Sequence, residues 1–368
     1  MRSTLRVVRV LAGLVLLAPA CSKQDTTPQG TPPTAEGTAA PETPLTPLAQ
    51  AREKAQAFAT LPANFDSAEN PWTQAKAELG RALYYETRMS KGQDIACNSC
   101  HQLDRFGVDG NPTSPGFKKQ LGGRNSPTVF NAAGHLAQFW DGRAKDVEEQ
   151  AKGPVLNPVE MAMPDGDAVV AILKTIPGYT EAFAKAFPGE ADPITYDNMA
   201  RAIGVFERRL TTPSRWDAFL GGKDDALTAA ELAGFVTFND TGCMSCHNGA
   251  LVGGNSYQKL GAVNPWPGLT DKGRAEITKN PEDTFFFKVP SLRNVTRTAP
   301  YFQDGSVTEL TKVVGLMAHH QLGRELEPAQ AASIVAWLGS LEGTVAADYV
   351  ARPEPMPSGP DTPGPVLD

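Results

Sequence analysis

Four of the five cysteines belong to two copies of one pattern, in which a histidine directly follows the second cysteine. The copies are Cys97-x-x-Cys100-His101 and Cys243-x-x-Cys246-His247. In this pattern the two thiols add to the vinyl groups of a haem, and the histidine is the proximal iron ligand. Two copies therefore indicate two covalent c-type haems. The alternatives, a zinc site, a redox dithiol or two disulfides, do not explain why a histidine follows each second cysteine.

Both ends of the chain have the composition of segments outside a folded core. Residues 1–20 read as a signal peptide, since basic residues precede an apolar run that is too short to span a bilayer. Cys21 follows small residues, which favours an acylated lipoprotein and hence membrane anchoring in the periplasm. Residues 21–50 and the Pro-rich residues 351–368 are predicted to be a disordered tether and a disordered tail.

The remaining sequence favours helices over strands. Apolar spacing and capping residues predict six helices, at residues 73–86, 167–176, 196–210, 228–238, 308–318 and 327–341. Thr228 and Glu231 form a capping box. The predicted fold is mostly α, with two cytochrome c-like domains that each wrap one haem in long loops. A formal net charge of −7 argues against nucleic acid as a partner.

The surroundings of the two haem motifs are related, which indicates an internal duplication. Pro127–Asn131 follows the first motif and Pro290–Asn294 follows the second, and an Asp-Gly pair comes ten residues after each Asn. The chain is therefore interpreted as an N-terminal module at residues 51–212 and a C-terminal module at residues 213–350, with the boundary near residues 211–214.

The two modules differ at the residue that could close the sixth position of the iron. Met317 and Pro154 are equivalent, since each lies 13 residues after the Asp of its Asp-Gly pair. A methionine ligand closes an electron-transfer haem, whereas a catalytic haem needs an open position. This register predicts a His/Met second haem and an open first haem. Met161 and Met163 remain alternative ligands for the first.

Further stretches resemble the bacterial diheme cytochrome c peroxidases. The resemblance runs from about Leu79 to Leu341. The most specific stretches are Arg124–Val129, Gln138–Arg143, Pro158–Met161, Ala299–Phe302 and Met317–Gly323. The resemblance implies that the haem of His101 is the peroxidatic site and that the haem of His247 and Met317 receives the electrons.

The same resemblance implies roles for individual residues. Trp140 would lie on the electron route between the haems, and Glu160 and Gln150 would be distal-pocket residues. A carboxylate there can take a proton from one peroxide oxygen and return it to the other.

The resemblance also implies a calcium site. Asn125 with the carbonyls of Thr298 and Pro300 would hold the ion at the domain junction, with oxygen ligands of the kind that calcium prefers.

One position departs from the family pattern. Many relatives have a histidine, sixteen residues after the first haem histidine, that closes the peroxidatic iron at rest. Here that residue is Phe117, which cannot bind iron. The hypothesis is therefore that the first haem rests open and needs no reductive activation. His135 is the one nearby histidine that could substitute, although its setting favours a structural role.

The sequence favours a periplasmic peroxidase that reduces hydrogen peroxide to water. Its electrons would come from a small cytochrome c or a cupredoxin, and relatives suggest a homodimer. A diheme electron carrier without catalysis is one alternative. Another is a relative of the methylamine-utilisation diheme enzyme, which oxidises a partner protein. That enzyme has a tyrosine as axial ligand of its second haem, and Met317 argues against it.

Overall fold

The computed structural model describes residues 45–366. The predicted signal peptide, Cys21 and the tether up to residue 44 lie outside the described residues. Within the described part, no helix has the length and apolar character needed to cross a membrane.

Helices make up most of the regular structure, as the sequence predicts. The first seven are α1 (Pro47–Lys54), α2 (Gln74–Tyr84), α3 (Cys97–Cys100), α4 (Val147–Leu156), α5 (Gly166–Lys174), α6 (Pro177–Ala186) and α7 (Tyr196–Glu207). The others are α8 (Arg215–Leu220), α9 (Ala229–Thr241), α10 (Ala275–Thr278), α11 (Leu310–Leu322), α12 (Pro328–Leu338) and α13 (Ala347–Val350). Two short strands, β1 (Tyr257–Lys259) and β2 (Phe286–Lys288), pair antiparallel.

The six helices expected from apolar spacing all form, within a few residues of the predicted bounds. They are α2, α5, α7, α9, α11 and α12. The capping box at the start of α9 is also confirmed, because the Thr228 side chain accepts from the Glu231 N–H and the Glu231 carboxylate accepts from the Thr228 N–H at 2.8 Å. This exchange satisfies backbone donors that the first turn leaves without partners.

The buried apolar residues form two clusters. The first is built from α2 and α4 to α7 around residues such as Leu83, Val155 and Phe183. The second is built from α8, α9 and α12, around Phe235 and Trp337. In each cluster two helices cross closely, α2 against α7 and α9 against α12. Burial of these apolar side chains provides the main driving force for folding.

The same backbone conformations recur in the two halves. Asn131 and Asn294 both adopt left-handed φ angles, of 62° and 59°. Their side-chain amides donate to one acceptor, the Thr212 hydroxyl, at 2.7 Å and 2.9 Å. Thr212 is fully buried, so the duplicated segments meet at one point inside the protein.

The N-terminal end differs from the sequence expectation. Helix α1 begins at Pro47, within the predicted tether, and is capped by the Thr46 hydroxyl, which accepts from the Ala49 N–H. Ala51 and Phe58 pack in the second cluster and not in the first. This start of the predicted N-terminal module therefore supports the core of the C-terminal half.

The C-terminal end also differs, because residues 351–366 are held on the first half of the chain. The Arg88 guanidinium donates to the Met356 carbonyl (2.8 Å) and the Ser358 hydroxyl (2.9 Å). The Val366 N–H donates to the Lys91 carbonyl at 2.9 Å. The expected disorder is thus wrong for residues 351–366, since hydrogen bonds to backbone groups hold a segment that has few apolar side chains.

Glycine allows the two close helix crossings. A Cβ at Gly80 of α2 would lie 1.9 Å from the Ala202 carbonyl oxygen, and one at Gly234 of α9 would lie 2.0 Å from the Ser333 carbonyl oxygen. We expect Gly80→Ala or Gly234→Ala to lower the free energy of unfolding by about 1–3 kcal/mol, because the helices must move apart. Urea unfolding of the purified protein measures this.

Gly339→Ala is the matched control for both variants. Gly339 has a helical φ of −62°, and its Cβ would meet no atom within 4 Å. Its unfolding midpoint should be unchanged or slightly raised. Equal midpoints for all three variants would contradict the close-packing account.

Candidate functional site

The first Cys-x-x-Cys-His motif folds into one helical turn. Its N-cap Ala96 is extended, and its N–H donates to the Ser99 hydroxyl at 3.0 Å. The His101 N–H closes the turn on the Cys97 carbonyl at 3.0 Å. Since residues three apart lie on one helix face, the Cys97 and Cys100 thiols are directed to the same side.

The backbone fixes the imidazole of His101 in one orientation. Its Nδ1 lies 3.0 Å from the Pro127 carbonyl oxygen, and because a carbonyl only accepts, Nδ1 carries the proton. The Tyr84 hydroxyl donates to the His101 carbonyl at 2.7 Å. Burial lowers the pKa of His101. The ring is therefore neutral near pH 7 and keeps the Nε2 lone pair for a metal.

The second motif repeats this arrangement. The His247 N–H donates to the Cys243 carbonyl at 3.0 Å, and Nδ1 of His247 donates to the Val252 carbonyl at 3.3 Å. Burial lowers the pKa of His247 to about 4. Both histidines are thus prepared in the same way as neutral ligands through Nε2.

The motif cysteines do not have the properties of a redox dithiol. All four are free of disulfide bonds. Burial raises the pKa of the Cys97 and Cys243 thiols to about 12 and that of Cys100 to about 11, whereas reactive dithiols have a lowered thiol pKa. Among residues 45–366, no three Cys, His, Asp or Glu side chains gather in a metal-ligand set.

A cavity of about 650 Å³ opens beside the first motif. This volume lies in the range of small-molecule and cofactor sites. The predicted site residues that line it are Cys97, Cys100, His101, Asn125, Trp140, Gln150 and Glu160. Both thiols and a neutral imidazole therefore face one cofactor-sized space, and these residues fit a covalently attached haem.

Glu160 is half-buried in the cavity wall, after the end of α4. Its Oε1 accepts from Asn157 Nδ2 at 2.7 Å, and its carbonyl accepts from the Phe117 N–H at 2.7 Å. Burial raises the pKa of the Glu160 carboxyl, while the Arg143 charge and the Asn157 hydrogen bond act in the opposite direction. A buried carboxyl with a raised pKa in a cavity is a candidate for general acid–base catalysis.

Trp140 joins the two halves of the chain. Its indole Nε1 donates to the Asn125 carbonyl at 2.9 Å, and its own carbonyl accepts from the Lys288 N–H of β2 at 2.8 Å. Its side chain also lines the cavity of the first motif. These contacts are consistent with the bridging position that the sequence predicts for Trp140.

The predicted calcium residues are only partly brought together. Asn125 is buried, and its N–H donates to the Gln303 carbonyl at 2.7 Å. Its side-chain amide nitrogen donates to the Asn111 carbonyl at 3.0 Å, so that the side-chain oxygen remains available as a ligand. Thr298 and Pro300 precede Gln303 by a few residues and do not line the cavity. A calcium site there stays a prediction.

The residues that could close the first haem lie in different surroundings. Phe117 is buried and is not part of the cavity lining, and Pro154 of α4 lines it without an iron-binding group. Met161 lines the cavity but also packs in the first apolar cluster, and Met163 packs there as well. His135 lines the cavity, with Nδ1 at 2.9 Å from Lys288 Nζ.

Met317 lies in the second half of α11, which packs against α12. Its side chain is half-buried. The second motif begins directly after α9, whose C-terminus is capped by the left-handed Gly242, and α9 packs on the same α12. Ligation of the second iron by Met317 stays a prediction.

Several charged cavity residues have no role in the sequence analysis, among them Arg143, Lys288 and Glu207. Arg143 pairs with Asp141 and places its charge near Glu160. Lys288 is buried at the end of β2. Glu207, the last residue of α7, is buried, and burial raises its pKa to about 8. Arg143 lies in the family-like stretch Gln138–Arg143 but had no role assigned there. Lys288 and Glu207 come from distant parts of the chain, and no local pattern marks them.

Comparison with known proteins identifies the family. The sequence profile described as "Di-haem cytochrome c peroxidase" matches residues 74–225. The chain is 44% identical over 308 residues to "Cytochrome c551 peroxidase" of Pseudomonas aeruginosa, which covers 81% of this chain and 89% of that protein. It is 44% identical over 278 residues to the protein of the same name from Nitrosomonas europaea, covering 75% and 82%.

A solved structure agrees with this comparison. The crystal structure of "a MauG-like protein associated with microbial copper homeostasis" has a TM-score of 0.71 and 26% identity, covering 80% of this chain and 97% of that one. The chain belongs to the di-haem cytochrome c peroxidase family. It is an oxidoreductase that acts on peroxide, and its family implies two haems, one for each motif.

The haem content of motif variants follows from this site. We expect two covalent haems per chain in the native protein and one in Cys97→Ser/Cys100→Ser, because the first motif then offers no thiol. Pyridine haemochrome absorbance per chain and intact mass measure the count. Met244→Leu, which changes a residue between the cysteines of the second motif, should keep both haems. An unchanged count in the double variant would contradict the assignment.

Proposed function

We propose that hydrogen peroxide is reduced to water in the cavity shared by His101 and Glu160. The electrons would come from a small redox protein and enter through the haem of His247 and Met317. The observation that carries this proposal is that a half-buried carboxyl with a raised pKa lines the same cavity as the first Cys-x-x-Cys-His motif. A simple electron relay needs no proton-transfer group at this position.

The haem of the first motif, when bound, would supply an iron that binds peroxide and delivers electrons to it. The Glu160 carboxylate takes the proton from one peroxide oxygen and returns it to the other, so that the leaving group is water. Asn157 holds Oε1 of Glu160 in place at 2.7 Å. The charge of Arg143 stabilises the ionised carboxylate before the first transfer and after the second.

Gln150 supports the same step from α4. Its side chain lines the cavity together with Glu160. A side-chain amide has hydrogen-bond donors on its nitrogen and an acceptor on its oxygen. It can therefore orient hydrogen peroxide, whose hydroxyl groups both donate and accept hydrogen bonds.

Trp140 and Met317 carry the electron-transfer part of the proposal. The Met317 sulfur would close the second iron and raise its potential, which suits electron entry. Trp140 would connect the two sites, since it bonds to Asn125 on one side and to Lys288 on the other. The donor is a small cytochrome c or a cupredoxin. A basic donor would suit the net charge of −7.

Calcium would order the junction near Trp140. The Asn125 side-chain oxygen and the carbonyls of Thr298 and Pro300 are hard ligands of the type that calcium takes. Asn125 also accepts the Trp140 indole through its carbonyl, so an ion there would fix the position of Trp140.

The cellular setting is part of the proposal. Residues 1–20 would direct export to the periplasm, and acylation of Cys21 would anchor the protein to a membrane. Haem attachment at both motifs fits an exported protein. A homodimer is proposed from the resemblance to the family.

Replacing Glu160 tests the proton-transfer role. We expect Glu160→Gln to lower kcat for peroxide by roughly 10²–10⁴-fold, because the amide cannot accept the first proton. Glu160 must be ionised to act as a base, so native kcat/KM should rise with pH through its raised pKa. In the Glu160→Gln variant, kcat/KM should no longer fall at low pH. Steady-state turnover with a reduced cytochrome c at several pH values measures both.

Glu149→Gln is the matched control, since Glu149 is exposed and does not line the cavity. Its rate and pH profile should equal those of the native protein. A Glu160→Gln variant with the native rate would refute the catalytic role.

The resting spectrum tests whether the first haem is open. We expect a high-spin component in the oxidised protein, and full peroxide turnover without prior half-reduction, because Phe117 cannot bind iron and lies outside the cavity lining. Met161→Leu and His135→Phe should leave this component unchanged. A purely low-spin native spectrum that becomes partly high-spin in one of these variants would identify that residue as a sixth ligand and contradict the proposal.

A further inference from the structure

Lys288 is a buried cation without an anionic partner in the cavity of the first motif. Its side chain is 6% exposed. Burial lowers the pKa of Lys288 to about 7, while the charge of Asp141 acts to raise it. Burying an ammonium group is costly unless an anion compensates it.

The other cations of the cavity wall are already paired. Arg124 donates to Asp141 at 2.5 Å and to Asp271 at 2.7 Å, and Arg143 donates to Asp141 at 2.9 Å. The Asp141 carboxylate is thus shared between two guanidinium groups. Among the described residues that line the cavity, Lys288 is the one Lys or Arg without a carboxylate within 4 Å.

The hydrogen-bond partner of the Lys288 side chain is a neutral histidine and not a carboxylate. Lys288 Nζ lies 2.9 Å from His135 Nδ1, and because an ammonium only donates, Nδ1 accepts. The proton of a neutral His135 is then on Nε2. This nitrogen is completely buried and has no hydrogen-bond partner. Nε2 lies beside the Gly254 backbone, so His135 orients the ammonium through Nδ1, and the other N–H donors of Lys288 remain for a ligand in the cavity.

Lys288 and His135 belong to the part of the cavity wall that other segments of the chain form, and not the first motif itself. Lys288 ends β2, and its N–H is held by the Trp140 carbonyl at 2.8 Å. A Cβ at Gly254 would lie 2.5 Å from the His135 ring, so the backbone of the second half packs directly against this imidazole. A cofactor attached through Cys97 and Cys100 would be held at its vinyl edge by the thiols. Its propionate carboxylates lie at another edge, and a propionate that is buried there needs a compensating partner.

We propose that Lys288 and His135 form a carboxylate-binding site for the propionate edge of the haem attached to the first motif. Lys288 would supply its ammonium to a buried carboxylate, and His135 would hold that ammonium in place through Nδ1. A positive charge there stabilises the reduced haem, and therefore contributes to its potential. The inference rests on a haem at the first motif and not on peroxide turnover.

The test is the potential of each haem, measured by spectroelectrochemistry without peroxide. In Lys288→Met we expect the equilibrium constant for reduction of the first haem to fall about tenfold, which is about 59 mV for one electron. Lys288→Arg should keep the native value, and His135→Phe should give a smaller fall than Lys288→Met. The second haem, at its native potential in all variants, is the internal reference.

Lys174→Met is the charge-matched control, since Lys174 lies on α5 and pairs with Asp192 away from the cavity. A shift in Lys288→Met no larger than that in Lys174→Met would overturn the proposal. If Lys288→Met does not retain two haems, Lys288→Gln and His135→Phe are measured, and native potentials in both would overturn it.

The carboxylate bound by Lys288 has one other source, a small anion from solution. Titration with acetate distinguishes the two sources. A propionate already in place predicts no change in the potential of the native protein or in its spectrum. A saturable change with acetate that is absent in Lys288→Met would show that the site takes a solution anion, and would overturn the propionate assignment.

Discussion

The site depends on backbone carbonyls that hold each motif imidazole by one nitrogen. Nδ1 of His101 donates to the Pro127 carbonyl, and Nδ1 of His247 donates to the Val252 carbonyl. Burial keeps each ring neutral, and the hydrogen bond places its proton on Nδ1, so that Nε2 is left for iron. The duplicated segments that follow the motifs converge on the buried hydroxyl of Thr212. The two duplicated segments are therefore positioned relative to one shared point, the Thr212 side chain, and not as two independent loops.

The cavity of the first motif is distinguished by its charges. Glu160 has a raised pKa, Glu207 is buried, and Lys288 lacks an anionic partner. Interactions between charges are stronger where water is excluded. The gain or loss of a proton by one of these groups therefore changes the free energy of reducing a haem in this cavity. Such groups are of little use to a haem that only passes electrons on. They suit a reaction that consumes protons and electrons together, as the reduction of peroxide does.

The sequence predicts the features that have a local signal. Six helices follow from apolar spacing, and both haem motifs follow from cysteine spacing. Helix α4 was not predicted, since Pro154 within it is typical of a helix break. The attachment of residues 351–366 was missed because Arg88 binds their backbone carbonyls, which composition does not record. The Lys288–His135 pair joins residues 153 positions apart, a distance at which one sequence carries no pairing signal.

The central claim is that one of the two irons keeps an accessible face, in the cavity of His101 and Glu160. Titration of the oxidised protein with cyanide, followed by electron paramagnetic resonance, tests this most directly. The account predicts one cyanide bound per chain, at the haem of the first motif and in competition with peroxide. Binding of no cyanide, or binding only at the haem of the second motif, would contradict it.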